Sequence, residues 1–142
     1  MNKIILFLLV FVLLPGISKR NINATYEVKL TLKNVDTGNP GKVVIAVYDE
    51  KNFLKKMTVQ KILNPENNTV EVKLDLPSGN YCFSVYQDIN QNQKLDRNFI
   101  GIPKEPIAFS NDYKPFGPPK FKGCAVRVEK NISLSLKMEK VF

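Results

Sequence analysis

Two stretches of the chain alternate apolar and polar residues with a period of two, and that period constrains the fold more than any other feature. Tyr26, Val28, Leu30 and Leu32 alternate with polar neighbours, and so do Val70, Val72, Leu74 and Leu76. Successive side chains of a strand point to opposite faces, so the pattern specifies strands with one face buried and the other wet. Val43 to Tyr48 is instead a continuous apolar run rich in β-branched residues, which predicts a strand covered on both faces. Residues 79–87, Cys124 to Glu129 and Ile132 to Met138 read as further strands, while Phe53 to Ile62 fits a helical turn or a lysine-marked edge strand. No long segment of residues 25–142 has a helical period. The expectation is an all-β domain: one Ig-like or transthyretin-like antiparallel β-sandwich of about seven strands over residues 25–142.

The punctuation agrees. Asn39-Pro40-Gly41 and Asn64-Pro65-Glu66-Asn67-Asn68 are turn chemistry between strand patterns. In Leu76-Pro77-Ser78-Gly79-Asn80-Tyr81, the tyrosine that opens the next strand is placed to hydrogen-bond back across the corner, as in sandwich tyrosine corners; an ordinary hairpin with a core tyrosine is the alternative. From Ile100 to Phe121 the character changes. Pro103, Pro106, Pro115, Pro118 and Pro119 oppose regular ladder pairing, so residues 100–121 are expected to form a long ordered crossing or lid.

Residues 1–18 read as a signal peptide. Lys3 supplies the positive start, and Ile4 to Leu14 is an apolar run shorter than the roughly 20 residues that span a bilayer. Pro15 and Gly16 break it, Gly16-Ile17-Ser18 offers a cleavage site and Ala24 a later one; the alternative is a buried N-terminal helix. The expected location is secreted or periplasmic, with association at the outer surface as a further option, and no transmembrane span in the mature chain.

The net charge is +8. Lys29, Lys33, Lys73 and Lys137 fall on alternating strands as a solvent face, so nucleic acid is not the expected partner, whereas anionic surface polymers or lipids fit the charge. The chain contains no histidine. Ser-His-Asp and Cys-His nucleophile systems and histidine-based zinc sites are thereby excluded. Carboxylate pairs such as Asp49 with Glu50, or Asp88 with Asp96, remain as catalytic alternatives. Two cysteines, Cys82 and Cys124, permit a disulfide in an exported chain. Strand parity argues the other way: Tyr81, Phe83 and Val85 on the core face turn Cys82 outward, while Cys124 alternates with Val126 and Val128. A disulfide and two separate packing cysteines both stay open.

Asp88-Ile89-Asn90-Gln91-Asn92-Gln93-Lys94-Leu95-Asp96 sets side-chain oxygens at positions 1, 3, 5 and 9 of a calcium loop. Lys94 at position 7 would add its backbone carbonyl, and Leu95 at position 8 an apolar anchor. The candidate calcium ligands are therefore Asp88, Asn90, Asn92, Lys94 and Asp96. Position 6 is Gln93 instead of glycine, and position 12 is Phe99 instead of a closing glutamate, a role that Glu105 or Asp112 could take. Two charges imply weak affinity, of the kind seen in extracellular modules. The competing reading is an Asx-rich turn without an ion.

These signatures occur in order with Ile100-Gly101-Ile102-Pro103-Lys104-Glu105, Ala108-Phe109-Ser110-Asn111 and Pro119-Lys120-Phe121. Together they resemble the secreted bacterial domain-of-unknown-function family 2141, from about Tyr26 to Met138. Gln93 and Pro106 stand where that family usually has glycine, and Ile89 where an acid is common. The resemblance implies an exported bacterial β-sandwich akin to transthyretin-like or carboxypeptidase-regulatory-like domains, with no established activity. The functional expectation is a non-catalytic binding or structural module of the bacterial envelope, stabilised by a weak calcium site, with an envelope protein or polysaccharide as partner. The alternatives are a transthyretin-like hydrolase working without histidine, and an adhesion or assembly partner that uses sheet edges.

Overall fold

The computed structural model describes residues 24–38 and 41–141. The expected leader, residues 1–18, and Asn39-Pro40 of the first turn lie outside the described residues. No helix among the described residues is long and apolar enough to cross a membrane.

Among the described residues eight strands form two sheets: β1 (Thr25–Lys33), β2 (Lys42–Asp49), β3 (Val59–Leu63), β4 (Val70–Pro77), β5 (Gly79–Asp88), β6 (Ile107–Phe109), β7 (Ala125–Val128) and β8 (Ile132–Lys137). One sheet has the order β4-β1-β8, the other β3-β2-β5-β6, with β7 also paired to β5. One hydrophobic cluster joins them: Val28, Leu30 and Leu32 of β1 and Leu74 and Leu76 of β4 meet Val43, Ile45 and Val47 of β2 and Phe83 and Val85 of β5. The fold is an all-β sandwich, and the inward residues of β1 and β4 are those that the period-two pattern places inward.

Two features go beyond the expected pattern. β1 and β8 run parallel, with Leu30 beside Leu134, so the sandwich is not wholly antiparallel. The chain after β8 then crosses to the other sheet, where Ile107 and Glu139 exchange backbone hydrogen bonds of 2.9 and 3.0 Å. Further, residues 100–121 are not free of ladder pairing. β6 pairs with Ser84 to Tyr86 of β5. Pro106 serves there as an acceptor, its carbonyl taking the Gln87 N–H, and the three residues after it carry no proline. A proline before a strand costs no ladder donor, and β6 raises the count from the expected seven to eight. Phe53 to Ile62 divides between the two readings, with turns through residues 51–55 and then edge strand β3.

The corner after β4 forms as its residues suggest: the Tyr81 hydroxyl donates to the Pro77 carbonyl at 3.1 Å. At the other end of β5, the fully buried Gln87 side chain splices in the β1–β2 connection. Its Oε1 accepts from the Asp36 N–H, and its Nε2 donates to the Asp36 carbonyl.

Candidate functional site

The outer faces of the two sheets differ in kind. That of β1 and β4 is polar and wet, with Lys29 paired to Glu71 and Lys73 to Glu27, both at 3.0 Å. The outer face of β2 and β5 is apolar and covered: Val44 and Ala46 are buried there although they point away from the sandwich core. A sheet buries its second face only where other chain lies over it. The cover comes from the turn after β2, the Asp88–Asp96 loop, and the excursion that leaves β5 at the end of β6 and returns at β7.

The excursion is clasped at its base. Its return runs through α1 (Phe121–Cys124), and β7 then pairs Ala125 with Cys82. Cys82 and Cys124 are bonded, with Cα atoms 5.1 Å apart. Parity does turn Cys82 away from the core, but Cys124 belongs to the helical turn before β7 instead of alternating along that strand, so it faces Cys82 on the outer side. Buried Ser110 completes the clasp: its hydroxyl accepts from the Phe83 N–H at 3.0 Å and donates to the Cys124 carbonyl. A small second cluster forms around the cysteines, with Phe109 buried and Phe53, Tyr113 and Phe121 packed on it. Edge-to-face contacts run from Tyr48 to Phe53 (5.9 Å) and from Phe53 to Phe121 (5.6 Å), tying the β2–β3 turn to α1. Gly123 is required by this packing, because a Cβ there would lie 2.3 Å from the Tyr113 ring.

The Asp88–Asp96 loop is a wound series of Asx turns. Asp88 is almost wholly buried; its Oδ1 accepts from the Asn92 N–H at 3.1 Å and its Oδ2 from the Gln93 N–H at 2.7 Å. Asn90 and Asn92 accept from the backbone two residues on, and both donate their amides to Asp96 Oδ2. Gln93 takes φ of 64°, so it makes the sharp turn without glycine. Buried Glu105 braces the loop from outside, Oε1 accepting from the Ile89 N–H and Oε2 from the Asp96 N–H. Phe99 is almost fully exposed, and Asp112 sits in the 3₁₀ turn Ser110–Asp112 after β6. The five expected ligand residues thus share one tight loop, but no group of three or more acids among the described residues is arranged to hold a metal ion. Of the acids considered for catalysis, Asp49 has local partners too: it accepts from the Asn52 N–H, the Asn52 amide and the Thr58 hydroxyl. The Asn52 contacts, its side-chain amide first, hold the Asp49 carboxyl below its usual range.

Between the covers a cleft of about 200 Å³ stays open. Its floor is Val44, Ala46, Tyr48, Ser84, Tyr86 and Phe109; its walls carry Leu54 and Met57 on one side, Leu95 and Arg97 on another, and Pro119 on a third. Burial pushes the Tyr48 hydroxyl above its ordinary pKa, and burial followed by the Asp88 and Glu105 charges does the same for Tyr86. Both are neutral donors at physiological pH. None of the five expected calcium ligands and neither cysteine lines the cleft, although Leu95, the expected anchor of the same loop, does. Its residues come from separate segments that only the topology unites, and the one available signal was large apolar residues inside turn-rich stretches, where no strand pattern uses them.

A family model described as "Uncharacterized protein conserved in bacteria (DUF2141)" matches residues 27–135. No curated protein and no solved structure matches the chain.

Proposed function

The chain belongs to the DUF2141 family of bacterial proteins, and from that premise we propose that it is an exported, non-catalytic binding module of the bacterial envelope whose binding face is the covered side of the five-stranded sheet. One observation carries the reading. Of the large hydrophobic side chains exposed among the described residues, Leu54 and Met57 line the cleft, Phe99, Ile100 and Phe116 stand within three residues of the lining residues Arg97 and Pro119, and Ile62 lies across β3 from the floor residue Val44. A collected apolar rim around a concave face marks an interaction surface more than scattered exposure does. The absence of histidine and the structural bonds of Asp49, Asp88 and Glu105 support a role in binding over hydrolysis.

The test is retention of the purified protein on isolated envelope fragments. Leu54→Glu with Met57→Glu abolishes retention at an unchanged melting temperature, whereas Lys29→Ala with Lys73→Ala on the opposite face leaves it intact. Retention that ignores the rim pair contradicts the reading. The edge alternative has one observation in its favour, the open edge of β3, and a Lys61→Pro variant, outside the cleft lining, that alone loses retention would favour it.

The same reading gives the Asp88–Asp96 loop a weak calcium site, held by side-chain oxygens of Asp88, Asn90, Asn92 and Asp96 and the Lys94 carbonyl. The winding supports it, since each oxygen that accepts one N–H keeps a second lone pair. At millimolar calcium the melting temperature rises, and Asp96→Asn removes the rise. No shift at millimolar calcium contradicts the site.

A further inference from the structure

We propose that the apolar rim docks on an anionic lipid surface, an inference that rests on the binding-face reading and names its partner. Phe99 and Phe116 are wholly exposed, and Ile100 nearly two-thirds so. They are not on slack chain. Asn98 Oδ1 accepts from the N–H groups of Ile100 and Ile102 at 3.1 and 2.9 Å, and Gly101 N–H bonds back to the Asn98 carbonyl. The base of that loop is closed where Arg97 bridges Pro103. Phe116 stands between Pro115 and Gly117, whose φ is 87°, and its loop is closed where the Lys120 N–H meets the Tyr113 hydroxyl at 3.1 Å. Both tips are close in sequence to cleft-lining residues, Phe99 two residues after Arg97 and Phe116 three before Pro119. Two phenylalanines held out on rigid turns lose little conformational freedom on docking.

The charge around the tips completes the argument. Lys94, Arg97 and Lys104 surround the first tip in sequence, Lys120 and Lys122 follow the second, and none of the five makes an ion pair among the described residues. Lys114 does, with Glu139. The acids of these segments are Asp96 and Glu105, which accept hydrogen bonds within and from the Asp88–Asp96 loop, and Asp112, whose charge acts on Lys114. Apolar tips interspersed with unpaired cations match a boundary where acyl chains lie just beneath anionic headgroups. A folded protein partner would need preformed pockets for each protruding ring, whereas a fluid boundary accepts them in any arrangement.

The experiment is co-sedimentation with vesicles of phosphatidylglycerol and phosphatidylethanolamine, against vesicles of phosphatidylcholine alone. Binding is expected only to the anionic vesicles and falls with added salt. Phe99→Ser with Phe116→Ser weakens it about a hundredfold, since each ring contributes roughly tenfold on leaving water. The melting temperature stays unchanged, because neither ring is packed. Binding that survives loss of both rings overturns the proposal by leaving charge alone. So does absence of vesicle binding while envelope fragments still retain the protein through Leu54 and Met57, an outcome that keeps the binding face and assigns it a protein or polysaccharide partner. Loss of retention on fragments and vesicles together overturns both readings.

Discussion

Replacing Cys82 and Cys124 together by alanine should lower the melting temperature by about 15 °C, and the figure follows from where the bond sits in the chain. The bond closes a loop across a sequence separation of 42, which contains the Asp88–Asp96 loop, β6 and the whole excursion. Chain-entropy bookkeeping for a loop of this length gives about 4 kcal/mol at 25 °C. For a domain of this size a change of 1 kcal/mol corresponds to about 4 °C. Both cysteines are fully buried among aromatic rings, so alanine keeps the site small and apolar and limits the added cavity cost. The assay is thermal melting by circular dichroism of the double variant, beside wild-type protein unfolded and refolded under reductant. Hydrogen exchange should report the loss first in residues 110–124, whose remaining ties include the Ser110 hydroxyl, the Asn111 amide on the Ala125 carbonyl, the Lys114–Glu139 ion pair and the rings of Phe53, Tyr113 and Phe121. A shift below about 3 °C would refute the reasoning, because it would mean that those contacts already hold the excursion closed without the bond.

Gln87→Ala should cost about 2–4 kcal/mol in urea unfolding, since it opens a cavity in a fully buried position and strips the Asp36 N–H and carbonyl of their partner. Acid titration should show stability falling below the ordinary carboxylate range of about pH 4, because Glu139 is held low by its Lys114 hydrogen bond first and Lys137 second, and Asp49 by Asn52. With the folded carboxyls depressed, the unfolded chain takes up protons first as pH falls, so this stability is complete above that range and lost as pH drops through the folded values. Glu139→Gln should flatten part of the slope, and an unchanged slope would contradict the assignment.

The strands were legible because their pattern answers directly to burial. Val28, Leu30 and Leu32 face the core with polar residues between them, and the unbroken Val43 to Tyr48 run corresponds to a strand buried on both sides. β6 was hidden because three pairing residues lie among prolines, and Pro106 uses only its carbonyl. The parallel pairing of β1 with β8 leaves no local trace, since periodicity reports the face of a strand and not its neighbour. Parity placed Cys82 correctly, but a four-residue helical turn reset the count before Cys124. The loop at Asp88 announced itself by composition. The cleft did not, because Tyr48, Tyr86, Leu95, Phe109 and Pro119 converge only once the excursion has folded back over the sheet.

The binding-face claim is tested most directly by hydrogen–deuterium exchange of the whole protein with and without isolated envelope fragments. New protection is expected in residues 53–57, 95–103 and 113–120, the segments that carry the cleft walls and the exposed tips, with the Lys29–Glu71 face of the other sheet unchanged. Protection confined to that opposite face, or to the β3 edge, would contradict it.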